Sequence, residues 1–226
     1  MNMPPPELIY FKSCPFAQQV LITLLHRDIA HQRTLINPSE RPDWLVRISP
    51  QGQIPVLRLD DKVALFESSA ILEYLDAISG GGLISNRPME RAQSQSWIQF
   101  IGSCQTGFGQ LITAANEESF QKARHSYLQK IAFLENGIDT LGPFFTGETF
   151  SLVDIALAPL LMRLHELSKL VRLHATSEFP RLQELSRLLL AQPAVQSSIA
   201  DLDFPVMFRS MIHMRGADGY VDSLIR

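Results

Sequence analysis

The chain has 226 residues, 46% of them hydrophobic, with 23 acidic against 20 basic side chains and a formal net charge of −3. That hydrophobic share excludes disorder as the main state and lets the chain bury a sizeable core in one or two domains. The near-balanced charge gives no electrostatic case for nucleic acid or acidic membrane surfaces, and two cysteines are too few for a disulfide scaffold, so a reducing, cytoplasmic setting is expected.

Residues 1–6 form a proline-rich extension without the basic and apolar regions of a signal peptide. Leu8 to Phe11 are apolar and aromatic, so Glu7 to Phe11 is expected as a first, buried strand. Pro15 suits the first position of a helix, where its missing N–H has no intrahelical partner. Val20, Leu21, Leu24 and Leu25 then make one apolar stripe at helical spacing, ending around His26-Arg27-Asp28. Cys14 is therefore expected as the N-cap, its sulfur facing the open N–H groups of Phe16 and Ala17. The positive end of a helix dipole stabilises an anion, so this thiol is expected to be biased towards thiolate, its nucleophilic form.

A second strand is expected at about Ala30 to Ile36, a loop over residues 37–42, and a short helix from Asp43 to Ile48. Ser49-Pro50-Gln51-Gly52-Gln53 is a turn by composition. Ile54 to Leu59 reads as a strand, Asp60-Asp61-Lys62 as a hairpin turn and Val63 to Phe66 as its partner. A helix begins near Glu67-Ser68-Ser69, with Ile71, Tyr74, Leu75 and Ile78 on one face. The order β-α-β-α-β-β-α implies one parallel crossover and a closing hairpin. Ser79-Gly80-Gly81-Gly82 breaks the pattern, and the boundary falls across residues 79–87, read as a flexible linker. No lysine and Ser/Thr follow these glycines as a P-loop needs.

From Pro88 onward no strand pattern recurs. Trp97, Ile101, Cys104, Phe108 and Leu111 mark one face of a long helix, with Gly102, Gly107 and Gly109 permitting a bend or a close approach by another backbone. Tyr127, Ile131, Leu134, Ile138 and Leu141 mark a second. Ser151 and Asp154 form a capping-box variant, flanked by Phe150 and Ile155 as a hydrophobic staple. The most apolar helix, Leu152 to Leu164, is too short to span a bilayer and carries Asp154, Pro159 and Arg163. Helices are expected at about Phe179–Leu190 and Ala194–Ile199. The last stretch, Pro205 to Met214, is apolar and methionine-rich and reads as ordinary packing. The second half is all-α.

This layout resembles the cytosolic glutathione transferase family over nearly the whole chain. The likeness is carried by Ser13-Cys14-Pro15-Phe16-Ala17, Gly52 to Leu57, Phe66 to Leu75 and Phe145 to Leu157. Cys-Pro-Phe-Ala, together with Arg41-Pro42-Asp43-Trp44 and the proline-rich extension, looks most like the omega class, whose catalytic residue is cysteine. One position departs from it, since the omega motif usually has arginine where this chain has Gln19.

The resemblance implies a thioredoxin-like βαβαββα glutathione-binding domain over 1–79 and an all-helical acceptor-substrate domain over 87–226. It implies glutathione as co-substrate, a small hydrophobic or glutathionylated second substrate, and a homodimer formed through helices at about 68–78 and 88–112. It makes Cys14 the catalytic thiol, with Phe16 beside it in the glutathione site. Ile54, just before a cis-Pro55, pairs its backbone with the cysteinyl part of glutathione, while Glu67 and Ser68 hold the γ-glutamyl end. Arg41 sits where omega proteins place a lysine near the glycyl carboxylate, and Gln53 matches a glutamine used in other classes. An acceptor pocket between the domains has Trp97, Ile101 and Cys104 as candidates, although core packing accounts for each. Taken singly, Ser68 is an ordinary helix cap, Glu67 a first-turn acid and Arg41 a solvated charge.

The residues themselves add one constraint. Dithiol oxidoreductases carry a second cysteine three positions after the first, but that position here is Ala17. A reactive monothiol needs a small external thiol to complete its cycle, and glutathione fits. The expected chemistry is thus glutathione-dependent thiol transfer or reduction. A glutathione-dependent lyase, dehalogenase or isomerase on the same scaffold, or a non-catalytic binding relative, stays open. No metal is expected, since the six histidines form no ligand spacing with each other or with cysteine.

Overall fold

The structure is a computed structural model in which residues 4–37, 40, 42–171, 173 and 178–225 are described. The first half follows the expected order: β1 (Glu7–Tyr10), α1 (Pro15–His26), β2 (Gln32–Leu35), α2 (Asp43–Ile48), β3 (Val56–Arg58), β4 (Ala64–Phe66) and α3 (Ser68–Ile78). The strands are shorter at their ends than the apolar runs suggest. They form a four-stranded sheet in the order β2-β1-β3-β4, with β1 parallel to β2 and the other neighbours antiparallel.

Side chains of a strand alternate between faces, and β1 uses both. Leu8 is buried with Val20, Leu21 and Leu24 of α1 and Ile71 and Leu75 of α3. Its neighbour Ile9 is buried on the other side with Leu45 of α2 and Val56. The sheet is therefore a middle layer, and the turn between β1 and α1 emerges at the C-terminal end of β1, between β2 and β3 in the strand order.

The segment after α3 is pinned, not the flexible linker its glycines suggest. Gly80, Gly81 and Gly82 all take positive φ, which L side chains disfavour. Buried Asp76 accepts from the Arg27 guanidinium and from the Leu83 N–H, and Arg27 also reaches the Gly81 carbonyl at 2.6 Å.

The second half comprises α4 (Pro88–Ile112), α5 (Glu117–Gly137), α6 (Leu152–Ser168), α7 (Pro180–Leu190), α8 (Pro193–Ser197), α9 (Phe204–Gly216) and α10 (Tyr220–Ile225). One expectation changes here, and two details are added. The second long helix stops at Gly137, so Leu141 lies beyond it and is 86% exposed. The methionine-rich stretch is helical and amphipathic, with Met211 buried and Met214 exposed. A final short helix, α10, follows that the apolar pattern did not mark. α6 is buried along almost its whole length, as a helix apolar on all sides must be, and packs on α4, α1 and α7. Ile22 and Leu72 belong to the same hydrophobic cluster as α6, so one core runs from the helical half into the sheet half. Among the described residues no helix is long and apolar enough to cross a membrane.

Candidate active site

Cys14 is the N-cap of α1, in extended backbone conformation (φ −76°, ψ 116°), with Pro15 opening the helix and no side-chain cap hydrogen bond. The Cys14 N–H is held by the Phe11 carbonyl at 3.0 Å, which closes the turn. Its Sγ lies 4.0 Å from the Ile54 carbonyl oxygen, and the residue is only 8% exposed. The expected bias towards thiolate does not hold for the unliganded protein. Burial pushes the thiol up from its ordinary value, against the downward pull of the Ala17 N–H, the Arg163 charge and the Phe16 N–H. Desolvation of a charged sulfur outweighs one helix terminus.

A cleft opens next to this turn. Phe16, Gln19, Gln53, Ile54, Glu67 and Ser68 are among the residues that line it, facing Ile98, Gln99 and Gly102 of α4. Cys14 itself is not among the lining residues, although Phe16 of its helix and Ile54, whose carbonyl its sulfur approaches, are. Five of the expected positions converge because three separate turns meet at one end of the sheet. Phe16 is the second residue of α1, Gln53 and Ile54 precede β3, and Glu67 and Ser68 join β4 to α3. The Gln53 N–H is fixed on the Ser49 hydroxyl at 3.1 Å, and the Ile54–Pro55 bond is cis, as the resemblance implies. Glu67 has φ 67°, a left-handed conformation uncommon for a residue with a side chain and often found at working sites. It leaves the Ser68 end of α3 open towards the cleft. Arg41 lies outside the described residues.

The acceptor candidates are not among the cleft's lining residues. Ile101 and Cys104 are wholly buried in the main core, where burial pushes the Cys104 thiol up to about 11. Trp97 packs against Phe100, Phe133 and Phe145 and lines a separate cavity between α4 and the loop before α6. The reason is helical phase. The stripe Trp97-Ile101-Cys104-Phe108 turns towards the helical core, while Ile98 and Gly102, rotated by about 100° from it, turn towards the sheet half. Gly102 matters here, because a Cβ at that position would stand 3.7 Å from the Phe16 ring. The close approach is by a side chain rather than by a backbone.

Two buried residues escaped sequence reasoning. Gln19 donates to the Ala156 carbonyl of α6 at 3.1 Å and lines the cleft, so the departure at this position ties the two halves together. Arg163 of α6 reaches back to the Ser13 carbonyl at 2.9 Å and to the Gln18 side chain at 2.8 Å. A lone arginine inside the most apolar helix was the available signal. Among the described residues no cluster of His, Cys, Asp or Glu could hold a metal ion.

A thioredoxin-like sheet half with a cysteine at its first helix, joined to an all-helical half, is the two-part architecture of glutathione transferases. Residues 13–78 match the family model for the glutathione S-transferase N-terminal domain, and residues 117–187 match that for the C-terminal domain. The chain is 32% identical over 153 residues to glutathione S-transferase DHAR2 of Arabidopsis thaliana, covering 67% of each chain. It is 27% identical over 186 residues to glutathione S-transferase omega-1 of Sus scrofa, covering 81% of this chain and 76% of that one. In fold it is similar to the crystal structure of glutathione transferase Omega 3C from Trametes versicolor, with a TM-score of 0.79, 23% identity, and 96% and 93% of the two chains covered. It is likewise similar to a Pseudomonas fluorescens family member crystallised with two glutathione bound, with a TM-score of 0.76, 21% identity, and 88% and 94% covered. The chain belongs to the glutathione transferase family, a family of glutathione-dependent enzymes.

Proposed function

We propose that the chain is a glutathione-dependent thiol transferase or reductase acting through a Cys14–glutathione mixed disulfide. The observation that carries this reading is the Cys14 thiol, 4.0 Å from the carbonyl of Ile54, a residue that lines the same cleft as Glu67 and Ser68. Similarity to omega-class relatives supports it. In the first step the Cys14 thiolate attacks the glutathionyl sulfur of a mixed disulfide. The Cys14–glutathione bond forms as the substrate's S–S bond breaks, and the substrate leaves as its thiolate, reduced. A second glutathione thiolate then attacks the glutathionyl sulfur of that adduct, releasing oxidised glutathione and restoring Cys14. Both cysteines are free, and Cys104 is buried on a different helix, away from the cleft, so the resolving thiol comes from outside.

In this reading Ile54 pairs with the peptide backbone of glutathione, as an extended ligand pairs with a strand edge. The open N-terminus of α3 at Ser68, with Glu67, takes the γ-glutamyl end. The second substrate enters from the α4 side, past Ile98, Gln99 and Gly102. A homodimer through α3 and α4 belongs to the same reading and is tested by sedimentation.

Mass spectrometry of the protein after incubation with oxidised glutathione tests the mechanism. One glutathionyl adduct on Cys14 is expected, abolished in Cys14→Ala together with thiol-transfer activity. Full activity in Cys14→Ala overturns it, and a glutathione conjugate or rearranged product in place of oxidised glutathione moves the reading to lyase or isomerase chemistry.

A further inference from the structure

Arg163 is 2% exposed, yet its hydrogen-bond partners among the described residues are all neutral. Its Nη2 donates to the Ser13 carbonyl at 2.9 Å, and its Nη1 to the Gln18 Oε1 at 2.8 Å and the Pro159 carbonyl at 2.9 Å. Its Cζ stands 5.6 Å from the centre of the Phe204 ring, and its Nε has no partner among the described residues. Gln18 is held in turn, its Nε2 on the Ser198 hydroxyl at 3.1 Å. Among the described residues no carboxylate forms an ion pair with Arg163. A buried cation without a counter-ion is costly, and neutral dipoles with an aromatic face offset only part of that.

The carbonyl that Arg163 grips belongs to the residue immediately before Cys14. We propose that Arg163 is the positioning residue of Cys14, its buried guanidinium being the standing counter-charge to the Cys14 thiolate. The nucleophilic form of a thiol in the sheet half then depends on a side chain from the helical half.

The charges around the pair leave it this role. Asp154, elsewhere on α6, is occupied by its own N–H donors, and Asp76 of α3 by Arg27. Glu67 is exposed at the cleft. Arg215 of α9 is exposed and acts on Cys14 in the same direction as Arg163. Burial brings Arg163 itself down to about 10, so it stays cationic at neutral pH, and the two groups stabilise each other's charge.

This rests on Cys14 being the reacting thiol, but its test needs no glutathione. The alkylation rate of the Cys14 peptide with iodoacetamide is followed by mass spectrometry against pH. In Arg163→Met the rate at pH 8 is expected to fall about tenfold, with the profile displaced upward by about one pH unit and its plateau unchanged. Arg163→Lys offers a cation with fewer donors, whose charge burial disfavours, and its profile is expected to fall between those of the parent and the methionine variant. Arg163→Gln keeps donors for the Ser13 carbonyl, and it decides the matter if the methionine variant does not fold. An undisplaced profile in the neutral variants, or an equal drop at every pH including the plateau, overturns the proposal. A displaced profile in a protein that forms no glutathione adduct keeps this inference and sinks the mixed-disulfide reading instead.

Discussion

Replacing Asp154 with alanine removes a carboxylate that is fully buried. Its Oδ2 accepts the Ser151 N–H at 2.9 Å and the Ser151 hydroxyl at 2.7 Å, and its Oδ1 accepts the Phe145 N–H at 2.9 Å. Two buried backbone donors lose the acceptor they have among the described residues, at about 1–3 kcal/mol each. Relief from burying the carboxylate, whose pKa burial pushes up, offsets part of that. The net loss is about 3 kcal/mol, above the 1–2 kcal/mol of a cap alone, because the same residue also fastens the loop before α6. For a chain of this length that lowers Tm by about 6–12 °C. Urea unfolding of Asp154→Ala, with Asp154→Asn retaining one acceptor oxygen and losing about half as much, is the assay. A loss below about 1 kcal/mol in the alanine variant would refute the reasoning.

Asp76→Ala strips Arg27 and the Leu83 N–H of their acceptor, for a loss of about 2–4 kcal/mol and faster proteolysis within 79–87; intact cleavage resistance would count against the pinned connection. Gly102→Leu fills the space in front of the Phe16 ring, so glutathione KM is expected to rise severalfold with little change in Tm, and steady-state kinetics decide it. Since burial holds the Cys14 thiol above its ordinary value of 9.0, its thiolate fraction is low at neutral pH. Alkylation of the unliganded protein should keep accelerating beyond pH 9, and a plateau below pH 8 contradicts this.

The sequence by itself determined what depends on neighbours along the chain. Period-two and period-3.6 patterns located the strands and long helices. Pro15 set the start of α1, and Ser151 with Asp154 set the start of α6, because caps and first turns are made by residues a few positions apart. The family motifs carried Phe16, Gln53, Ile54, Glu67 and Ser68, and those five line one cleft. Local patterns do not encode what lies across an interface. Leu141 continues the spacing of α5 but falls past its end, where it is exposed. Trp97, Ile101 and Cys104 were placed on the right helix, yet which side of that helix meets the sheet half is set by packing.

The same limit governs the thiol. A Cys-Pro turn at a helix start argues for a lowered pKa, whereas the depth of burial, which only the packed chain sets, pushes it up. The residue that opposes this burial most directly from the other half, Arg163, stands 150 positions from the Ser13 carbonyl it holds, and Gln19 finds its acceptor 137 positions away. Such contacts leave no periodicity or spacing behind, because they exist only once α6 has been buried against α1.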